Sequence, residues 1–199
     1  HYRDKIDSNG VLAQEGLTPD GYFLVSLHRE ENVDSPENLK QILDSLLGLV
    51  ETFKKPAIIS THPRTRKRLQ EFNLVTENPM LRFVKPFGFL SYIKLQKFAF
   101  CTISDSGTIT EESALLGFPA IMIRNAHERP EGMDSGVLIM SGLEKDGILE
   151  AIRIVRGQHE TGSRPAIVED YQGGAVAAQV LRIILSYTGY VNRTVWRKS

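Results

Sequence analysis

The chain has 199 residues, 41% of them hydrophobic and 24% charged, which is enough for one soluble globular domain with a sizeable core. Lys+Arg and Asp+Glu both count 24, so the formal net charge is zero and nothing in the balance points to a nucleic-acid or membrane surface. The one cysteine, Cys101, excludes an intrachain disulfide and a cysteine-based zinc site, and its apolar surroundings read as those of a core thiol.

In chain order, apolar runs and helical patterns alternate. Tyr22 to Leu27 reads as a strand. A helix follows from about Ser35, with Pro36 early and one apolar face made by Leu39, Ile42, Leu43, Leu46, Val50 and Phe53. Ala57 to Ser60 is the next strand, then a basic helix to about Phe72, whose cluster Arg64 to Arg68 reads as a solvated face. Leu81 to Val84 is a third strand, Gly88 to Lys97 a short helix, and Phe98 to Ile103 a fourth strand. The helix after Ser106 closes at Gly117 and Pro119 and leads to a fifth strand, Ala120 to Ile123. A long polar loop runs from Arg124 to Gly136, and Val137 to Met140 reads as a last strand. A helix from Glu144 buries Ile148, Leu149, Ile152 and Val155. A Gly/Ser/Pro-containing segment, Gly157 to Pro165, then precedes a final helix from about Gly174 to Tyr187. No signal peptide or membrane-spanning run is visible, so a cytoplasmic address is the default expectation. The start at His1, without Met, points to a fragment.

Strand–helix alternation with wholly apolar strands predicts an α/β fold, a parallel sheet with helices on both faces. Ligands of such folds bind at the carboxyl ends of the strands. Polar signals collect there: His28-Arg29, His62-Pro63-Arg64, Lys85-Pro86, Ser104 to Gly107, and Arg124 to Arg129.

The stretch Ser104-Asp105-Ser106-Gly107-Thr108-Ile109-Thr110-Glu111-Glu112 carries most. Small hydroxyls and a glycine sit where a strand hands over to a helix, where unpaired N–H groups and the helix dipole favour a phosphate. The alternative is an ordinary cap, and Thr108-x-x-Glu111 fits the capping-box pattern. Glu112, four residues after Thr108, shares its face and can accept both hydrogen bonds of a ribose diol. His28 and Arg29 can meet a phosphate or belong to a polar loop. The spacing His28-x-x-Glu31 imitates metal ligands without a supporting Cys/His set. His127-Glu128-Arg129-Pro130-Glu131 lacks the second histidine of a zinc protease, and Pro130 disfavours its helix. Arg129 there suits an anion or a sugar, or a surface ion-pair cluster. Phe87, Phe89 and Tyr92 can stack on a base or pack in the core. Gly-x-Gly-x-x-Gly and the Walker loop are both missing, which argues against a dinucleotide oxidoreductase or an ATPase.

Taken together, His28-Arg29-x-Glu31-Asn32, His62-Pro63, Pro86-x-Gly88-Phe89-Leu90, Asp105-Ser106-Gly107 with Glu111-Glu112, and Glu128-Arg129-Pro130-Glu131 resemble the non-hydrolysing UDP-N-acetylglucosamine 2-epimerase family, from about Gly21 to about Leu185. The resemblance implies a Rossmann-like domain that is one half, the carboxyl-terminal one, of a two-domain GT-B-type architecture. Residues 1–20 would be an interdomain linker or helix and 21–170 the nucleotide-binding domain. Residues 171–199 would be a helix and tail that pack back toward an amino-terminal domain.

The resemblance also implies roles. His28 and Ser106-Gly107-Thr108 would hold the diphosphate, and His28 would assist catalysis. Glu112 would hold the ribose, the Phe87 backbone and Tyr92 would frame the uracil, and Arg129, with Arg29 nearby, would contact the nucleotide-sugar. Such enzymes invert sugar carbon two by eliminating and re-adding UDP, for surface-polysaccharide precursors, with no cofactor and no metal. Their acidic acid/base residues lie mainly in the amino-terminal domain, and they often dimerise. The string Ala126 to Asp134 and the tail from Leu185 to Trp196 are more like a branch that forms UDP-N-acetyl-L-fucosamine. The rivals are the donor-binding domain of a GT-B glycosyltransferase and a stand-alone nucleotide-sugar binding module.

Overall fold

The computed structural model describes residues 2–74, 76–163 and 168–198. Six apolar runs form strands β1 (Phe23–Leu27), β2 (Ala57–Thr61), β3 (Leu81–Val84), β4 (Cys101–Ser104), β5 (Ala120–Met122) and β6 (Ile139–Met140). All pair in parallel, in the order β3-β2-β1-β4-β5-β6. This is the Rossmann-like order, and its direction reverses between β1 and β4, where a crevice opens above the strand ends.

The alternation along each strand explains the two-sided cover. Phe23, Val25 and Leu27 face one layer with Ile59, Ile103 and Ile121. There they meet Ile42, Leu46 and Leu49 of α4 (Pro36–Phe53) and Ile148 and Ile152 of α9 (Lys145–Glu160). Leu24 and Ile58 face the other way, onto Leu95 and Ala99 at α6 (Phe89–Phe98) and Val11 of α2 (Val11–Gln14). Each fully buried Leu or Ile is worth about 1.5–3 kcal/mol of transfer free energy. Cys101 lies in this core, and burial pushes its thiol up to about 12, so it is an inert packing group.

Local signals fix the helix ends. The Ser35 hydroxyl accepts from the Asn38 amide at 3.1 Å ahead of Pro36, and α4 ends on Lys54 in the left-handed region at φ 55°. The His62 ring accepts from the Arg64 amide at 3.3 Å and caps α5 (Pro63–Glu71). The basic face of α5 is ion-paired: Arg64 with Glu30 and Asp34, Arg68 with Asp34 and Glu71, and Lys67 with Glu71. Arg68 first and then Arg64 hold the Asp34 carboxyl below its usual range.

Several boundaries differ from the sequence expectation. The run Phe98 to Ile103 is not one strand: Phe98 ends α6, its carbonyl accepts from the Asp20 amide at 2.9 Å, and the ladder starts at Cys101. The last strand is only Ile139–Met140, because the Val137 amide is tied to the Gly132 carbonyl at 3.0 Å by the turn through Gly136. The loop after Arg124 contains a short helix, α8 (Pro130–Asp134), and the loop after β1 contains α3 (Glu30–Val33). The helix from Glu144 runs through Gly157 to Glu160, and the part of the expected Gly/Ser/Pro segment at 164–165 lies outside the described residues. Ahead of β1, α1 (Arg3–Asp7) packs on α6 through Lys94 to the Asp7 carbonyl and Lys97 to the Asp7 carboxylate, and α2 joins it through Val11 in the apolar cluster with Leu95.

Two compact units emerge, His1–Ile167 and Val168–Ser199. The second holds a 3₁₀ turn, Glu169–Gln172, and α10 (Val176–Thr194), which is longer than its apolar periodicity suggested. Among the described residues no helix is long and apolar enough to cross a membrane.

Candidate functional site

The two loops that flank the crevice, after β1 and after β4, are tied together by one buried carboxylate. Asp105 is fully buried and accepts the His28 amide at 3.1 Å, the Arg29 amide at 3.0 Å and the Asn32 side-chain amide at 3.2 Å. His28 Nδ1 lies 3.2 Å from the same carboxylate, while its side chain is 42% exposed. The imidazole is therefore oriented from below and open above. The His28-x-x-Glu31 spacing does not converge: Glu31 pairs with Arg124 at 2.6 Å instead.

The second loop opens α7 (Thr108–Leu116), which ends on Gly117 at φ 70°. The expected capping box is absent. Gly107, not Thr108, is the N-cap, no side chain caps the helix, and Glu111 binds Arg129 at 2.5 Å. The first-turn amides of α7 thus have no side-chain acceptor, and Ser106 and Thr108 hydroxyls lie 3.0 Å apart beside them. A Cβ on Gly107 would stand 3.6 Å from Arg29 Nη2 and 3.9 Å from Arg129 Cζ, so two guanidiniums flank a positive helix end. One turn on, Glu112 is pre-oriented: Thr108 Oγ1 donates to one oxygen at 2.9 Å and Gln96 Nε2 to the other at 2.5 Å. Like-sided Thr108 and Glu112 therefore do share a face.

The aromatic residues divide. Phe87 and Tyr92 pack against the cluster under α6. Burial pushes the Tyr92 hydroxyl up to about 12. Phe89 is 63% exposed and meets Tyr2 edge-on at 6.0 Å. A pocket of about 140 Å³ lies over the ends of β1 and β2, lined by Ser26, His28, Ser60, His62 and Pro86.

Reading the sequence missed three supports. Asp105 was in the motif without a role, Gln96 sits mid-helix, and Glu128 forms a two-point pair with Arg29 at 2.7 and 2.9 Å. Arg29 first, and then Arg124, hold the Glu128 carboxyl below its usual range. A strongly paired Glu-Arg string was the available signal for the last.

A family model described as UDP-N-acetylglucosamine 2-epimerase matches residues 1–185. The chain belongs to this epimerase family. A UDP-N-acetylglucosamine 2-epimerase of Methanocaldococcus jannaschii is 36% identical over 174 residues, 86% of this chain and 46% of the relative. The solved epimerase from Rickettsia bellii superimposes with a TM-score of 0.84 at 44% identity, covering 99% of this chain and 53% of that one. The M. jannaschii enzyme, solved in complex with UDP-GlcNAc and UDP, gives 0.80 at 33% identity, over 92% of this chain and 50% of that one. The chain thus spans about half the length of these epimerases, and its Rossmann-like domain corresponds to one half of their GT-B-type architecture.

Proposed function

We propose that this chain is the UDP-binding half of a non-hydrolysing UDP-N-acetylhexosamine 2-epimerase. The observation that carries it is the meeting of His28 and Arg29 from one loop with Ser106, Gly107 and Thr108 from the other at the reversal of strand order, with Arg129 beside them. The α7 amides, the Ser106 and Thr108 hydroxyls, His28 and the two guanidiniums take the diphosphate. Glu112 takes the ribose diol. The Phe87 backbone and Tyr92 edge bound the uracil, with Tyr92 acting from its packed position on α6.

These groups serve the leaving group. In the proposed reaction a base removes the proton at carbon two, the C1–O bond breaks, and UDP departs with the electron pair, leaving a C1–C2 double bond. UDP then returns to carbon one while a proton returns to the opposite face of carbon two. No electrons are gained or lost, and the charge that develops on the diphosphate is met by donors already aimed at it. His28 lies on this side of the proton traffic; the acidic acid/base groups belong to the other half of the relatives' length.

The wider assignment follows the same reading: a cytoplasmic homodimer feeding surface-polysaccharide precursor synthesis, with residues 1–20 as linker and 171–199 packing on an amino-terminal domain. Support for the last is that α10 carries Val176, Val180, Ile183 and Ile184 at helical spacing and buries none of its side chains.

Incubation of the full-length polypeptide with UDP-N-acetylglucosamine in deuterated water tests the function. Deuterium at carbon two of an epimerised product is expected. Sugar transfer to an acceptor without epimer formation would replace this reading with a glycosyltransferase.

A further inference from the structure

Two carboxylates border the α7 N-terminus, and they are used differently. Glu111 is tied to Arg129 on the flank of the helix. Glu128 lies at the mouth: one of its oxygens is 3.5 Å from where a Gly107 Cβ would stand, beside Arg29 Nη2 at 3.6 Å from that point. Both Glu128 oxygens are engaged by both terminal nitrogens of Arg29. That two-point fork is the geometry by which arginine grips a phosphate, and one edge of a guanidinium cannot serve both anions.

Glu128 has a second cation to fall back on. Arg124 is 5% exposed, and its Nη2 already lies 3.2 Å from Glu128 Oε1, beside the 2.6 Å pair that the same nitrogen makes with Glu31. Two further donors of that guanidinium, Nε and Nη1, are buried without a partner. A buried cation with unused donors is costly unless something negative stays beside it.

We propose that Glu128 is a built-in stand-in for the diphosphate: it occupies the fork of Arg29, and the diphosphate of a nucleoside-diphosphate sugar displaces it, leaving the carboxylate on Arg124. This rests on the UDP-binding reading above and adds a regulating contact to it. The exchange keeps Arg29 ordered and oriented between turnovers. It also sets a threshold, since an anion must outbid a carboxylate to enter, which favours the doubly charged diphosphate over singly charged anions.

Calorimetric titration of the 199-residue chain with UDP and with uridine tests it, in four forms: wild type, Glu128→Gln, Arg29→Ala and the double variant. Glu128→Gln should raise UDP affinity about two- to five-fold, the range an exposed ion pair commands. Uridine affinity should not move, and the gain should vanish in the Arg29→Ala background. Unchanged or weaker UDP binding by Glu128→Gln overturns the inference, while the UDP-binding reading stands on the wild-type titration. A gain that persists without Arg29 also overturns it, because Glu128 would then act by plain repulsion. Binding of UDP by neither wild type nor Glu128→Gln removes the reading and the inference together.

Discussion

The carboxylate of Asp105 receives the peptide N–H groups of both His28 and Arg29, at 3.0–3.1 Å, from a position with no solvent exposure. A residue at the end of β4 thereby dictates the backbone after β1, and the site's two loops cannot move independently. Asp105→Ala leaves the part-buried His28 and Arg29 amides without an acceptor and takes one of two acceptors from the Asn32 side-chain amide, which keeps the Ile123 carbonyl. A loss of about 2–4 kcal/mol is expected, at about 1–3 kcal/mol for each unsatisfied buried group with partial relief by water. Urea unfolding checks the stability, and titration should show UDP affinity falling with it.

Glu112 is held by Thr108 and Gln96 with both oxygens set. If it receives a ribose diol, UDP should outbind 2′-deoxy-UDP by about ten-fold, one charge-assisted hydrogen bond of about 1.5 kcal/mol. Glu112→Ala should weaken UDP binding and erase that difference. A difference that survives the substitution means that another group reads the 2′-hydroxyl.

Lys54 closes α4 at φ 55°, a conformation that an L side chain adopts at a cost. Lys54→Gly should stabilise the chain by about 0.5–1 kcal/mol, offset in part by the greater freedom of the unfolded glycine. A thermal melt reads the sign. The residue is remote from the crevice, so UDP affinity should stay as it is.

Burial raises three acids: the Cys101 thiol from 9.0 to about 12, the Tyr92 hydroxyl from 10.0 to about 12, and the Tyr22 hydroxyl further still. The folded chain therefore keeps protons that the unfolded chain surrenders. Their contribution is fully present below about pH 9 and is lost as pH rises toward 12. Denaturation midpoints should be level near neutrality and fall above pH 9, and Cys101→Ala should make the fall shallower. A thiol reagent at pH 8 should label Cys101 only after unfolding.

Much of this architecture can be read along the chain, because β1, β2, β4 and β5 are buried at all or all but one of their positions and the helices that cover them have one apolar face. Strand ends were less legible. Phe98 to Ile103 reads as one apolar unit, yet Phe98 ends a helix and the Phe100 amide bonds back to the Tyr22 carbonyl, a tertiary choice that composition does not encode. The short helices α3 and α8 hide in polar strings because four or five residues are too few to show a helical period. Within the site, the residues expected to touch ligand were visible as types. Their supports were not: Asp105 acts on main-chain amides, and Gln96 and Glu128 act across gaps of 16 and 99 residues. Glu111 shows the opposite error, a local pattern that fits a cap but is claimed by a distant arginine.

β1 and β4 pair with Ser26 opposite Ser104, so the two loops leave the sheet at one height although their residues lie far apart in sequence. Height is set by register alone. A slip of two residues would keep every side chain on its proper face and every backbone bond in a ladder, yet shift one loop by about 7 Å against the other. His28 would then pass Asp105 altogether. A chain caught in that state would look folded by circular dichroism and bind nothing, so nucleotide binding, more than secondary structure, is the measure of whether this sheet has been zipped in its true alignment.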